Sequence, residues 1–367
     1  MKAKQLLFVL GCVALTTTSC VSSYYRSVTH VAPDGTIGKT IYALGDSAFM
    51  VGNTAHNPFL FVLNNDWQVT RFDSCIAYDF FGEKRNLNVK AYRHYSFEDE
   101  TPVPPVREVM RPLAAPKETL KKQFRWFYTY YTFTAVYPEI TDKGPIPLSR
   151  YLTEPQQALW LQGDMKGYQG MNGIELKSVL DDLEKNFLQW YAHSMYEISF
   201  DIVQHFDSLS EDKRYLPRLA ACKDSLFLTN QPGREDLPDF SPTIVCDLLD
   251  THFHTLHFSN VKSRYAKEFE QQLEEQSQSI DLFDTFIQYD LSLPGEILSA
   301  NTTLYQDGAL VWKVDAYRNL AADYTLTAQS RVTNVWAFIV TFGLLLGAIV
   351  GLVTYSRSRY ICPKSKG

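Results

Sequence analysis

Cysteine is scarce in this chain of 367 residues, occurring at Cys12, Cys20, Cys75, Cys222, Cys246 and Cys362. Cys12, Cys20 and Cys362 fall in terminal segments treated below. The three that remain are an odd number, which argues against a disulfide framework. Cys222 and Cys246 bracket a proline-rich loop, and a bridge or two buried thiols fit equally. The chain also has no GxSxG elbow, no phosphate-binding P-loop and no GxGxxG turn, so nucleophile-elbow hydrolases, NTPases and dinucleotide enzymes have no support. With a net charge of -6, it has no nucleic-acid footprint. Apolar residues are not lacking: at 45% hydrophobic and 21% charged, the chain can bury a core and disorder throughout is excluded.

One long stretch lacks charge altogether. Val335 to Tyr355 reads VWAFIVTFGLLLGAIVGLVTY, and as a helix it extends roughly 30 Å, the thickness of a bilayer's hydrocarbon core. Trp336 and Tyr355 stand at its ends, where amphipathic rings favour the headgroup layer. The tail beyond carries Arg357, Arg359, Lys364 and Lys366 and no acid, which places it in the cytoplasm and the bulk of the chain outside. Within the span Gly343, Gly347 and Gly351 recur at every fourth position. Such a face lets two helices approach closely, although glycine is also common in membrane helices at large.

At the other end, Lys2 and Lys4 precede an apolar core from Leu6 to Leu15 and then small residues, the pattern of a secretory signal peptide over 1–19. Thr17-Thr18-Ser19-Cys20 resembles a bacterial lipobox, with Thr17 where leucine is usual. The resemblance implies acylation of Cys20; ordinary cleavage near this point is the alternative.

Between the anchors the text is β-like, then helical, then β-like again. Tyr24–Val31 and Ile37–Leu44 flank Ala32-Pro33-Asp34-Gly35, a hairpin signal. Further strands are expected at Trp67–Phe72, Ile76–Phe81 and Leu87–His94, before an acidic patch from Glu98 to Glu100 and a proline-rich connector. Phe124–Tyr137, the most aromatic segment, reads as one central strand covered on both faces, or as an aromatic ligand wall. A capping box at Thr153 to Gln156 opens a short helix. Leu176, Leu180, Leu183, Phe187, Tyr191, Met195, Ile198, Ile202, Phe206 and Leu209 then mark the apolar stripe of a long one. A helix over Leu216–Leu228 follows, and Ser241-Pro242 starts another expected to continue to about Gln278. Strands return at Thr285–Ser292, Ile297–Tyr305, Leu310–Tyr317 and Tyr324–Val332, with turns at Pro294-Gly295 and Asp307-Gly308.

One constellation has metal-ligand character. Asp247, Asp250, His254 and His257, at helical spacings of three, four and three, would share one face and could hold Zn²⁺. A polar helix face in water needs no metal to explain it. Asp46-Ser47-Ala48, Asp207-Ser208-Leu209 and Asp224-Ser225-Leu226 resemble a short O-glycosylation sequon of exported bacterial proteins, and Asn301-Thr302-Thr303 matches an N-glycosylation acceptor.

The Pro33 to Gly35 turn, the stretch LPGEILSAN from Leu293 to Asn301, the Asp307-Gly308 turn and Leu310-Val311-Trp312 together resemble the LppM-type envelope lipoproteins. The likeness covers both ends of the chain and leaves the helical middle unmatched. It implies an α+β envelope domain with a role in binding lipid or glycolipid and transfers no binding residue.

The expectation is therefore an α+β domain over 20–332, its N- and C-terminal strands joined in one antiparallel sheet, with a helical middle at about 153–278 packed on it. A span at 335–355 and a basic tail at 356–367 complete a single-pass inner-membrane lipoprotein. Its expected role is binding or assembly rather than catalysis, without a cofactor. Membrane lipids are the expected partners, with a membrane protein or a second copy meeting the glycine face. The alternatives are a metal-dependent enzyme using Asp247, Asp250, His254 and His257, and a purely structural partner of another membrane protein.

Overall fold

The computed structural model describes residues 23–79, 82–96, 116–140, 143–230, 240–281 and 285–361. The signal peptide, the lipobox with Cys20, the acidic patch, most of the proline-rich connector and the end of the basic tail lie outside the described residues.

The α+β class is as expected. The first hairpin pairs β1 (Ser23–Val31) with β2 (Thr36–Ala43). Its turn is held by Asp34, whose carboxylate accepts from the Thr36 amide and hydroxyl, and by Gly35 at φ 98°, a conformation that side chains disfavour. Trp67–Phe72 and Ile76–Phe81, expected as two strands, merge into one bulged strand, β3 (Gln68–Tyr78), which pairs with β4 (Lys84–Ser96).

Phe124–Tyr137 is not one strand. The chain turns at Trp126-Phe127, so that β5 (Lys117–Arg125) pairs with β6 (Tyr128–Tyr137). Burial along β6 alternates, with Tyr131, Phe133, Ala135 and Tyr137 inward and Tyr130, Thr132 and Thr134 half-buried, so only one face meets the core. Aromatic density concealed the turn, because rings at the tip look like core rings in a sequence.

After the helices come β7 (Thr285–Ser292), β8 (Glu296–Ala300), β9 (Tyr305–Gln306), β10 (Ala309–Asp315) and β11 (Tyr324–Thr333). Among the described residues the strands divide between two sheets, β3-β4-β2-β1-β7-β10-β9 and β5-β6-β11-β8. The N- and C-terminal strands do join, and in parallel: β1 runs beside β7 from Ser23↔Thr285 to His30↔Ser292. Gly295, between β7 and β8, sits at φ 81°, and a Cβ there would stand 2.1 Å from the Arg331 carbonyl oxygen, so the Leu-Pro-Gly corner admits only glycine.

The inner faces of the two sheets bury against each other in one core. Ile37, Ile41, Val89, Tyr289 and Trp312 from the larger sheet meet Leu120, Tyr131, Phe133 and Leu326 from the smaller. A polar bridge crosses it. Lys39 on β2 pairs with Glu118 on β5, and the Tyr289 hydroxyl donates to Glu118 at 2.9 Å while lying 2.8 Å from the Thr29 hydroxyl. Burial, and then the nearby Glu118 charge, push the Tyr289 hydroxyl far above its ordinary range, so it remains a donor.

A four-residue helix, α1 (Ser47–Met50), lies between β2 and β3. The helical middle comprises α2 (Glu154–Gln162), α3 (Gly173–Ser208), α4 (Leu216–Thr229), α5 (Pro242–Phe253), α6 (His257–Arg264) and α7 (Ala266–Asp281). The expected capping box closes α2, and Asn172 with Glu175 forms a second one at α3. With 36 residues, α3 is a spine about 54 Å long. Leu183, Phe187 and Trp190 of its first half pack with Leu152, Leu159 and Leu320, and Phe200, Val203 and Phe206 of its second half with Leu219, Leu249 and Phe258. The expected helix from Ser241-Pro242 to Gln278 is instead three. His254 caps α5 in the left-handed region at φ 51°, and the chain breaks again at Tyr265.

Lys39→Met is expected to destabilise the domain by about 3–5 kcal/mol, since it leaves the Glu118 carboxylate buried without its cation. Adding Glu118→Gln, which keeps an acceptor for Tyr289 but removes the charge, should recover part of that loss in denaturant titrations of the purified chain.

Candidate membrane-interface site

The four candidate metal ligands are divided among different tasks. Asp250, buried, accepts from the Phe258 amide at 2.9 Å and from the Ser259 amide and hydroxyl at 2.8 and 2.5 Å, and so caps α6 from a distance. Asp247 pairs with Lys262 at 2.9 Å. His257 turns away to Asp207, its Nε2 2.6 Å from a carboxylate oxygen. His254 is exposed at the end of α5. The helix break at His254 removes the shared face that the spacing implied. Among the described residues no group of three or more His, Cys, Asp or Glu side chains is placed to hold a metal ion.

The cysteines Cys75, Cys222 and Cys246 are free, the last two buried. Burial pushes the Cys246 thiol up to about 12, which keeps it protonated and unreactive at neutral pH. The three O-glycosylation look-alikes fall at helical positions: Asp46 caps α1, Asp207 is fully buried in α3, and Ser225 lies within α4. The Asn301 side chain is wholly engaged, accepting from the Trp312 indole at 3.0 Å and the Thr327 amide at 2.9 Å and donating to the Thr325 carbonyl at 2.6 Å.

A polar chain that the sequence did not reveal runs through the helical part. The Tyr151 hydroxyl lies 2.8 Å from Nδ1 of His193, whose ring stacks on Phe227 at 4.1 Å, and Lys223 joins Glu197 at 2.7 Å to Asp201 at 2.6 Å. Burial pushes the Glu197 carboxyl up, but hydrogen bonds from His193 and Lys223 and the Lys223 charge outweigh it and hold the group below its usual range. His193 is shut in beneath Phe227, so the arrangement ties α3 to α4 rather than presenting a reacting group to solvent.

The most distinctive construction lies where the sheet meets the apolar segment. β11 ends at Thr333, and a single residue separates it from α8 (Val335–Ile361). That residue, Asn334, is a joint. Its amide donates to the Phe127 carbonyl at 2.9 Å and its side-chain NH₂ to the carbonyls of Arg125 and Trp126 at 3.0 and 3.2 Å, while its side-chain oxygen accepts from Thr129 at 3.0 Å. These bonds hold the β5–β6 tip against the first turns of α8. The Trp126 indole donates to Thr341 at 2.8 Å. Trp336 stacks on Phe124 with ring centroids 6.3 Å apart and meets Trp126 edge-on at 5.2 Å, and Phe338 packs on Phe127 at 4.6 Å. The collar is nonetheless largely open: Phe124 is 57% exposed, Trp126 46% and Trp336 50%.

Val335–Arg357 is long and apolar enough to cross a membrane, and only 6% of its apolar window is buried. A Cβ added at Gly343, Gly347 or Gly351 would meet nothing within 4 Å, so the glycine face is open. Cys20 lies outside the described residues. The collar residues belong to the aromatic run, where rings at a tip and rings in a core have the same pattern. The missed signal is Arg125 inside that run, a charge that a strand covered on both faces does not accommodate.

No family model matches the chain, and no curated protein does. Among solved structures, the NMR structure of the folded domain of Mycobacterium tuberculosis LppM is similar at 9% identity and a TM-score of 0.25, covering 85% of this chain and 91% of that one. The likeness is structural and weak.

Asp250→Ala should cost about 1–2 kcal/mol, the scale of a lost helix cap. Added Zn²⁺ should leave the Tm of the native chain unchanged, because the four side chains do not converge; a rise would restore the metal reading.

Proposed function

We propose that the chain is an exported, membrane-anchored lipoprotein that serves the bacterial envelope as a binding or assembly module, with lipid or glycolipid as the ligand class. The observation that carries this reading is the almost wholly exposed apolar helix α8, which follows the sheet after the single residue Asn334. A helix of that length with so little protein cover is at home in hydrocarbon rather than in water. In this reading Cys20 is acylated, the bulk of the chain faces away from the cytoplasm, and the tail with Arg357 and Lys364 faces into it. The role is binding rather than catalysis. The metal-enzyme alternative relied on a helix face that the break at His254 removes.

Deleting 335–367 together with Cys20→Ser should release the domain into the soluble fraction, whereas deleting 335–367 alone should leave a weaker, acyl-dependent attachment. Lipids co-purifying with the full chain in mild detergent should be enriched in one class over the bulk membrane by mass spectrometry. A bulk-like profile would remove the ligand class from the proposal.

The open glycine face is assigned to association with a second copy or a membrane-protein partner. Replacing Gly343, Gly347 and Gly351 by leucine should preserve membrane attachment but reduce crosslinked complexes. Unchanged crosslinking would reduce α8 to a plain anchor.

A further inference from the structure

We infer that the β5–β6 tip is a second membrane contact: Phe124, Trp126 and Phe127, with Trp336 of α8, seat in the interfacial layer of the phospholipid bilayer that α8 crosses. The inference rests on the reading of α8 as a span and goes beyond it, because an anchoring helix alone leaves the domain free to tilt.

Depth is the first argument. Thr341 lies six residues into α8 from Val335, about 9 Å along a helix axis. The Trp126 indole bonds to it, so the tip reaches past the start of the apolar segment rather than stopping above it. Side chains that lie in a membrane interface are buried about 5–10 Å into the headgroup and acyl boundary. Any bilayer that accommodates α8 from its first turn therefore meets the tip at that level.

Chemistry is the second. From Phe124 to Tyr130 the chain reads FRWFYTY, with one cation and no acid. Tryptophan and tyrosine favour the interface, where an apolar ring and a polar edge are both satisfied, and exposed Arg125 suits lipid phosphate. Rigidity is the third. The Asn334 bonds fix the tip to the helix, so its ordering entropy is already spent before it meets lipid. Exposed rings in water at the base of a span have no such partner, and a protein occupant would have to fit between the domain and the membrane surface.

The test places a photocrosslinking p-benzoylphenylalanine at Phe124 in the full chain, in native membranes, with Val51 as control. Val51 is 87% exposed and follows β2, whose start lies by the turn that Lys122 contacts and whose end points away from the tip. Crosslinks to phospholipid at position 124 and not at 51 are expected. Crosslinks to a protein at 124, or none to lipid, overturn the inference. A second measurement does not depend on that variant: in vesicles of phosphatidylethanolamine and phosphatidylglycerol, brominated lipid should quench the part of the fluorescence lost in Trp126→Phe, and an unquenched component overturns the inference too. Flotation separates the two failures. A chain that does not float with membranes sinks the anchor and the tip together, whereas one that floats with an unlabelled tip sinks only the tip.

Discussion

Everything outside the helices depends on the burial of two sheet faces against each other. The two inner faces share one core, in which Ile37, Val89 and Trp312 of one sheet pack with Leu120, Phe133 and Leu326 of the other. Apolar packing of this kind is non-directional and would tolerate sliding. The Lys39, Glu118, Tyr289 and Thr29 bridge is directional, and its charged members lie where mispairing would strand them in a low-dielectric interior. The bridge, with the bonds from Tyr131 and Lys122 to the Pro33-Asp34 turn, favours one register between the two sheets.

That register has consequences at the end that carries α8. β6 pairs with β11 along its whole length, Tyr128 opposite Thr333, so the β5–β6 tip must emerge where β11 hands the chain to α8. Asn334 then satisfies the carbonyls of the tip that a free turn would leave to water. The sandwich, the tip and the helix are tied together at Asn334, the single residue between β11 and α8.

Much of this was legible beforehand. The first hairpin, the Leu-Pro-Gly and Asp-Gly turns, the capping box at Thr153 and the apolar helix follow from residues close together in the chain, and all appear in the structure. The two segments that depart from the local pattern do so for one reason. In the aromatic run and in the helix after Ser241, periodicity carries no mark of a two-residue turn among rings or of a left-handed residue at His254 where no glycine stands.

The sequence by itself determined the α+β class, the α-helical spine and the apolar segment, because propensity, capping and hydrophobic length are local properties of the chain. Only the tertiary structure decided that the strands split into two sheets, that Asp250 caps a helix rather than joining His254 and His257, and that Phe124 and Trp126 stand beside α8. Those outcomes turn on contacts between residues far apart in the chain, Trp126 with Thr341 and Lys39 with Glu118, and no local pattern encodes which distant surface a side chain will meet.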